Sequence, residues 1–236
     1  MPHYEPHHHA GDPHLPPRPT GLEPATPRWQ IDYITTEGAL RGLIRECLAE
    51  PRVAIDTETF NWIADKGNGP TRENVGQLAL LQLGIPAREY AALVHVRVLA
   101  ANGIDWASAV RPLLESAGTE KIVHFGRFER AVFENYDLPF DAGVRDTCAM
   151  AKAVFGELQQ YYPGLEKRSL QSLSRHLLGR DISKAEQQGD WSTFELTPAQ
   201  RDYAALDVEI AAEVYGVLER FFRVTGRDPA QVNWRV

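Results

Sequence analysis

At residues 52–56 the chain reads Arg-Val-Ala-Ile-Asp, a short apolar run that ends in an acid. A run of this length and composition is typical of a strand that is buried in a sheet. Similar runs recur through the first half of the chain, so the sequence predicts a sheet of several strands. The predicted strands cover residues 29–35, 52–56, 75–84, 90–96 and 121–125.

Helical spacing of apolar residues fills much of the remaining chain, most densely after residue 127. The predicted helices cover residues 37–49, 105–117, 127–136, 146–155, 168–178 and 197–222. Pro198 falls in the first turn of the last helix with Thr197 as its cap, an arrangement that favours a helix start. Strands followed by mixed elements and then by helices indicate an α/β fold, with a mixed β-sheet flanked by helices in a single domain.

Composition places the chain among globular proteins. Of its 236 residues, 43% are apolar and 24% are charged, which is enough for one large core. Two cysteines, Cys47 and Cys148, are too few for a disulfide framework. Neither a secretory leader nor a long apolar span is evident, so we expect a cytoplasmic protein with no membrane partner.

The net charge of −7 argues against broad, tight binding of duplex nucleic acid, because such binding normally uses a basic surface. It is compatible with a metal-dependent enzyme. Acids that hold divalent cations meet phosphate through the metal and do not repel it.

Residues 1–28 show no apolar periodicity and contain eight prolines and five of the eight histidines. This composition is typical of a disordered tail. His7, His8 and His9 have two interpretations, a site for a stray metal ion and part of a flexible polar tail, and the tail is the simpler one. The expected organisation is therefore a tail over 1–28, one folded domain over 29–225 and a C-terminal extension over 226–236.

Acidic residues stand at three separate places in the predicted fold. Asp56 and Glu58 lie two apart at the end of a predicted strand, so they share one face. Glu129 falls in the first turn of a predicted helix, where the helix dipole alone favours an acid. Tyr203 and Asp207 lie four apart on one face of the last helix. Taken singly, each has an ordinary structural interpretation as a solvated acid, a dipole partner or a core–rim pair.

Taken together, these residues can converge on one edge of the sheet. Four carboxylates can hold two divalent cations, which clamp the attacking and leaving oxygens of a phosphoryl displacement. Oxygen ligands favour Mg²⁺ or Mn²⁺ over Zn²⁺. His124 also ends a predicted strand, where a hydrogen-bonded histidine is a simpler interpretation than a metal ligand.

Three motifs follow one another along the chain. They are Val53-Ala-Ile-Asp-Thr-Glu-Thr-Phe60, His124-Phe-Gly-Arg-Phe-Glu129 and Tyr203-Ala-Ala-Leu-Asp207. A further segment, Ser183-Lys-Ala-Glu-Gln-Gln-Gly-Asp-Trp191, precedes the third motif. In this order they resemble the DEDDy 3′–5′ exonucleases, most like the exonuclease domain of ribonuclease D. The resemblance spans about residues 30–222 and implies a ribonuclease H-like fold.

The resemblance implies hydrolysis of nucleic acid, RNA more than DNA, from a single-stranded 3′ end. The implied products are nucleoside 5′-monophosphates, made with two divalent cations, Mg²⁺ or Mn²⁺, by a two-metal mechanism. The positions that match the catalytic metal ligands are Asp56, Glu58, Glu129 and Asp207. Tyr203 matches the catalytic residue that orients the attacking water. Lys184, Gln187 and Trp191 match residues that contact substrate or brace the site, and for Trp191 core packing is an equal alternative.

Two features depart from the family pattern. The second motif ends in Glu129, where the family normally has Asp, and 29 residues follow Asp207, too few for the C-terminal helical domain of many ribonuclease D proteins. We therefore expect a weak grip on RNA or dependence on partners. Two alternatives stay open: a catalytically weak nucleic-acid-binding or adaptor module, and a DNA repair exonuclease with the same chemistry.

Overall fold

A mixed sheet forms the centre of the fold. The computed structural model describes residues 15, 17–63, 67 and 69–235. The strands are β1 (Glu23–Pro24), β2 (Gln30–Ile34), β3 (Arg52–Phe60), β4 (Gln77–Ile85), β5 (Tyr90–His95), β6 (Glu120–Val123), β7 (Val144–Asp146) and β8 (Arg180–Asp181). The main sheet has the order β2-β5-β4-β3-β6-β7, and β1 pairs with β8 apart from it.

Both parallel and antiparallel pairs occur in the main sheet. Strand β4 runs antiparallel to β3 and β5, whereas β2–β5, β3–β6 and β6–β7 are parallel. Strand β3 therefore lies inside the sheet, with a partner on each side. The predicted α/β fold with a mixed sheet is confirmed.

Helices cover both faces of this sheet. They are α1 (Glu37–Ala49), α2 (Val96–Ala101), α3 (Trp106–Glu115), α4 (Arg127–Glu134), α5 (Thr147–Ala153), α6 (Phe155–Tyr161), α7 (Leu170–Leu173) and α8 (Pro198–Val224). Short turns of 3₁₀ helix lie at Pro86–Arg88 and Pro229–Gln231, and a π-helical turn lies at Ser174–Leu178. Among the described residues, no helix is both long and apolar enough to cross a membrane.

The pleat of β3 divides its side chains between two cores. Val53 and Ile55 pack in the core that contains α1, α3 and α4. Ala54 packs in the opposite core, with α8. Because side chains alternate along a strand, Asp56 and Glu58 fall on the α8 side of the sheet. The charged motif and the long helix thus meet on one face.

Helix α8 lies close to the sheet because a glycine faces it. A Cβ on Gly84 of β4 would lie 3.2 Å from the Cβ of Val208 and 2.9 Å from the ring of Trp29. A larger residue at this position would push the helix away. This close approach brings the α8 carboxylate within reach of the acids on β3.

Several predicted boundaries are wrong. Strand β3 continues to Phe60, so Asp56 and Glu58 lie within the strand and not at its end. Antiparallel pairing with β4 extends it, and a bulge interrupts the register between Glu58 and Thr59. The region predicted as two helices over 146–155 and 168–178 is divided into shorter helices with β7 before them and β8 after. Strands of two or three residues carry no readable period.

The predicted disordered tail is wrong for its described part. Glu23–Pro24 pairs with β8, and Leu15 is buried in the α8 core. The backbone N–H groups of Arg28 and Trp29 donate to the carboxylate of Glu209, which is fully buried on α8. Composition missed this contact because its partner lies far along the chain. Residues 1–14 and 16, including His7, His8 and His9, lie outside the described residues.

Candidate active site

Strand β3 supplies two acids to the site. Glu58 is 9% exposed and Asp56 is partly exposed, both on the α8 side of the part of β3 that pairs with β4. The backbone there is held by ladder hydrogen bonds, so it cannot turn these side chains into bulk water. The sheet therefore fixes two carboxylates side by side in a desolvated position.

Helix α8 supplies the Tyr–Asp pair. Its start is held by a capping box in which the Thr197 hydroxyl accepts from the N–H of Gln200 at 3.2 Å, and the Gln200 side chain accepts from the N–H of Thr197 at 3.0 Å. One turn further, the Tyr203 hydroxyl donates a hydrogen bond to Asp207. The prediction that Thr197 caps this helix is confirmed. The prediction that Tyr203 and Asp207 lie on one face of it is also confirmed.

Three carboxylates meet between strand and helix. One ligand oxygen from each of Asp56, Glu58 and Asp207 lies within 4.8 Å of the other two. They line a cavity of about 840 Å³ that Tyr203 also lines. Residues of the second motif, Glu129 among them, line the same cavity, so the structure brings all three sequence motifs together there.

The electrostatics of this group are unfavourable without a cation. Burial raises the pKa of Asp56 to about 7. Burial, and then the charges of Asp56 and Asp207, hold the pKa of Glu58 well above its usual range. Burial and Asp56 do the same for the pKa of Asp207. Carboxylates gathered in this way need positive charge among them, and a divalent cation supplies it.

Glu129 lies beside the group but not in it. It is 2% exposed in the first turn of α4, and its Oε2 has no hydrogen-bond partner among the described residues. Burial, followed by the charge of Asp56, raises its pKa well above the usual range. Within the described chain it is not one of the acids that lie mutually within 4.8 Å. Its role as a metal ligand stays a prediction.

The residues present fit a divalent cation. The donors are carboxylate oxygens, which suit Mg²⁺ and Mn²⁺. An unpartnered buried oxygen on Glu129 adds a fourth acceptor next to the three acids. His124 lines the same cavity, but it does not belong to the group of mutually close ligand atoms. Its Nδ1 lies 2.8 Å from the Thr147 hydroxyl, and burial, with Lys184 nearby, lowers its pKa to about 4.

The turn that precedes Glu129 depends on a residue that the sequence motifs did not single out. The carboxylate of Asp146 accepts hydrogen bonds from the backbone N–H groups of Phe125 and Gly126, at 3.0 and 2.9 Å. It also caps α5 by accepting from Cys148 and Ala149. Its position at the start of the helix predicted over 146–155 was the available signal, but only the tertiary contact links it to the second motif.

The segment before α8 forms another wall of the cavity. Lys184 and Gln187 are exposed and line it, as do Lys167 and Arg168, which the motifs did not indicate. Trp191 is 2% exposed, with its ring centroid 6.2 Å from that of Tyr203. Burial of this kind matches the packing interpretation of Trp191, as a residue that supports Tyr203.

Known proteins resemble this chain over most of its length. A family model described as 3′-5′ exonuclease matches residues 31–222. Ribonuclease D of Gluconacetobacter diazotrophicus is 30% identical over 195 residues, which cover 82% of this chain and 44% of that protein. The crystal structure of Escherichia coli RNase D, an exoribonuclease involved in structured RNA processing, has a TM-score of 0.61 at 27% identity, covering 84% of this chain and 46% of that chain.

A structure with lower identity matches the fold more completely. The EXO domain of Aedes aegypti Nibbler has a TM-score of 0.67 at 16% identity, covering 88% of this chain and 97% of that domain. At this identity the likeness concerns the fold alone. The chain spans less than half of each ribonuclease D protein but nearly all of this isolated domain.

Proposed function

The chain belongs to the 3′–5′ exonuclease family, and from that membership we propose that it hydrolyses nucleic acid from the 3′ end to nucleoside 5′-monophosphates. The observation that carries the proposal is the group of Asp56, Glu58 and Asp207, whose ligand oxygens lie within 4.8 Å of one another. Such a group in the lining of a cavity has no simple structural purpose, because it raises the free energy of the metal-free fold.

The acids act by holding divalent cations, two Mg²⁺ or Mn²⁺ in the proposed mechanism. When bound, the cations supply the positive charge that offsets the phosphate and lowers the pKa of water. Asp56, Glu58 and Asp207 form the close ligand set. Glu129, with its free Oε2 beside them, completes the set more loosely.

Tyr203 orients the attacking water in this proposal. Burial, followed by the charge of Asp207, raises the pKa of its phenol, so the hydroxyl keeps its proton at neutral pH. A protonated phenol is a poor general base but a good donor and acceptor of hydrogen bonds. Its hydrogen bond to Asp207 fixes the hydroxyl oxygen at the edge of the acidic group.

Single-stranded 3′ ends of RNA are the proposed substrate, with DNA as the alternative polymer. Support comes from the ribonuclease D relatives and from the exposed Lys184 and Gln187 on the cavity wall, which can contact phosphate and base edges. Among the described residues, the cations that line the cavity are Lys167, Arg168 and Lys184. This small number suits contact with a strand end more than with a long duplex. A cytoplasmic location stays part of the proposal.

A nucleic-acid-binding or adaptor role with weak catalysis is the second candidate. Glu129 favours it, because the family pattern has the shorter Asp here and because this residue lies outside the close group of acids. A ligand displaced by about 1 Å can lower a catalytic rate around 100-fold. An exonuclease and an adaptor would both bind nucleic acid, but only the exonuclease would cleave it at a substantial rate.

A timed digest of RNA and DNA single strands tests the proposal. Each strand carries a label at the 3′ or the 5′ end and is incubated with Mg²⁺, Mn²⁺ or a chelator. We expect early release of the 3′ label as a mononucleotide, progressive shortening of the 5′-labelled strand, and no reaction in chelator. The preferred polymer is the one that shortens faster.

A control variant distinguishes the loss of an acid in the site from the loss of an acid on the surface. Asp207→Asn removes an acid of the close group, whereas Asp202→Asn removes an exposed acid five residues earlier on the same helix. We expect the first variant to lose turnover and the second to keep it. Binding of single strands without cleavage in either metal would favour the adaptor role, and release of 5′-labelled mononucleotides first would contradict the proposed polarity.

A further inference from the structure

Phe125 has a backbone conformation that its side chain disfavours. Its φ is 74°, in the left-handed region, where a bulky residue is uncommon. The next residue, Gly126, has an ordinary φ of −52°. Gly126, which could adopt a positive φ without strain, therefore has an ordinary φ, and the strained φ falls on Phe125. Strain of this kind persists where the surrounding structure enforces it, and it is concentrated at functional sites.

The surroundings enforce this turn from two sides. The buried carboxylate of Asp146 accepts from the N–H groups of both Phe125 and Gly126. On the other side, a Cβ at Gly126 would lie 2.9 Å from Cγ2 of Val123 and 3.4 Å from the ring of Trp234. Gly126 is thus needed for space, and the left-handed turn falls on Phe125.

Packing does not account for the Phe125 ring. Phe125 is 43% exposed and belongs to neither of the two hydrophobic cores. It lines the cavity that contains Asp56, Glu58 and Asp207. Trp62, at 52% exposed, lines the same cavity. Of the four non-glycine residues with positive φ in the described chain, Phe125 alone lines this cavity.

From this geometry we propose that Phe125 is a base-stacking residue: the strained turn holds its ring against a nucleobase of the strand whose end lies at the acidic group. The proposal deepens the proposed function and rests on it for the identity of the ligand. Bases stack on exposed aromatic rings in a sequence-tolerant way, and removal of such a ring weakens binding by about 5- to 150-fold. Asp146 is then a positioning residue, which acts by holding the turn.

Binding of short single strands to Phe125→Ala tests the contact directly. The strands are labelled, end in a hydrolysis-resistant 3′ phosphorothioate linkage, and carry one abasic site at successive positions from the 3′ end. We expect Phe125→Ala to bind the intact strand about 5- to 150-fold more weakly. The loss should vanish for the one strand whose abasic site removes the stacked base, and Phe125→Tyr should bind like the wild type.

The control variant is Phe194→Ala, which removes an aromatic ring of 53% exposure that does not line the cavity. It should leave the affinity unchanged. An equal loss for every abasic strand, or no loss with Phe125→Ala, overturns the proposal. If the wild type binds strands and shows the position-specific effect but cleaves none, the stacking stands and the proposed hydrolysis fails.

Phe125→Gly adds a readout that a structural role would not give. Glycine adopts positive φ without strain, so the melting temperature should be equal to or above that of the wild type while the affinity falls. Phe125→Ala keeps the strain and should melt below Phe125→Gly. A Phe125→Gly protein that melts well below the wild type would mean that the ring is needed for folding, and the proposal would be wrong.

Discussion

Replacement of Asp207 by Asn separates the stability of the acidic group from its function. Asn has the same shape as Asp, and its side-chain oxygen can still accept the hydrogen bond from Tyr203. Only the charge is lost. We expect the variant to be inactive, because it lacks a ligand of the close group, and yet to be more stable than the wild type when no divalent cation is present.

The size of this stabilisation follows from the spacing of the acids. Two unit charges no more than 4.8 Å apart repel each other by roughly 3 kcal/mol or more at an effective dielectric constant of about 20. Because the pKa of Asp56 is about 7, part of this repulsion is relieved by protonation at neutral pH. We therefore expect a gain of about 1–3 kcal/mol, which raises the melting temperature by roughly 2–12 °C in a domain of this size.

The gain depends on pH in a fixed direction. The folded-state pKa of Asp56 is raised from its ordinary 3.8 to about 7, so the folded protein binds protons more tightly than the unfolded chain. The contribution of Asp56 to stability is therefore fully present below about pH 4 and is lost as the pH rises through about 7. The difference between Asp207→Asn and the wild type should be smallest near pH 4 and largest above pH 7.

Thermal unfolding in chelator and in Mn²⁺, with a parallel nuclease assay, measures these effects. The wild type should gain about 2.7 kcal/mol at a Mn²⁺ concentration of about 100 times Kd, and Asp207→Asn should gain much less. Asp202→Asn serves as the exposed control. A variant that melts below the wild type in chelator at high pH, shows the full Mn²⁺ gain, or cleaves RNA at the wild-type rate would refute the reasoning.

Three further predictions address other parts of the molecule. Glu129→Asp should raise the cleavage rate in Mg²⁺ and narrow the advantage of Mn²⁺ over Mg²⁺, because Mg²⁺ demands near-ideal geometry. A lower cleavage rate in both metals would mean that the site is adapted to Glu. A chain that starts at residue 29 should lose about 2–3 kcal/mol of stability, since Glu209 loses the Arg28 N–H donor; an unchanged melting curve would contradict this. Gly76→Ala should cost about 3 kcal/mol or more in a denaturant titration, because its Cβ would lie 2.3 Å from a backbone oxygen at φ +79°. Gly103→Ala, at φ +70° with no atom within 4 Å, should cost only about 1 kcal/mol, and equal losses would refute the steric argument.

Local interactions account for what could be predicted from the sequence. Helix α1 begins and ends where its apolar spacing predicts, and α8 begins at Pro198 after its Thr197 cap. Asp56 and Glu58 share a face of their strand, and Tyr203 and Asp207 share a face of their helix, because strand and helix periods are local properties. The order of the motifs along the chain was enough to indicate the family. None of these inferences needs a contact between distant residues.

Tertiary contacts decided the rest. The full length of β3 depends on pairing with β4, and β1 is a strand only because β8 lies beside it. Docking of the N-terminal segment depends on Glu209, about 180 residues away in the chain.

The same holds at the site itself. The left-handed turn at Phe125 is held by Asp146. Glu129, on the helix that follows this turn, lies beside the acidic group without joining it. Local sequence carries no signal for these features, because each is stabilised by a partner that only the folded chain brings near.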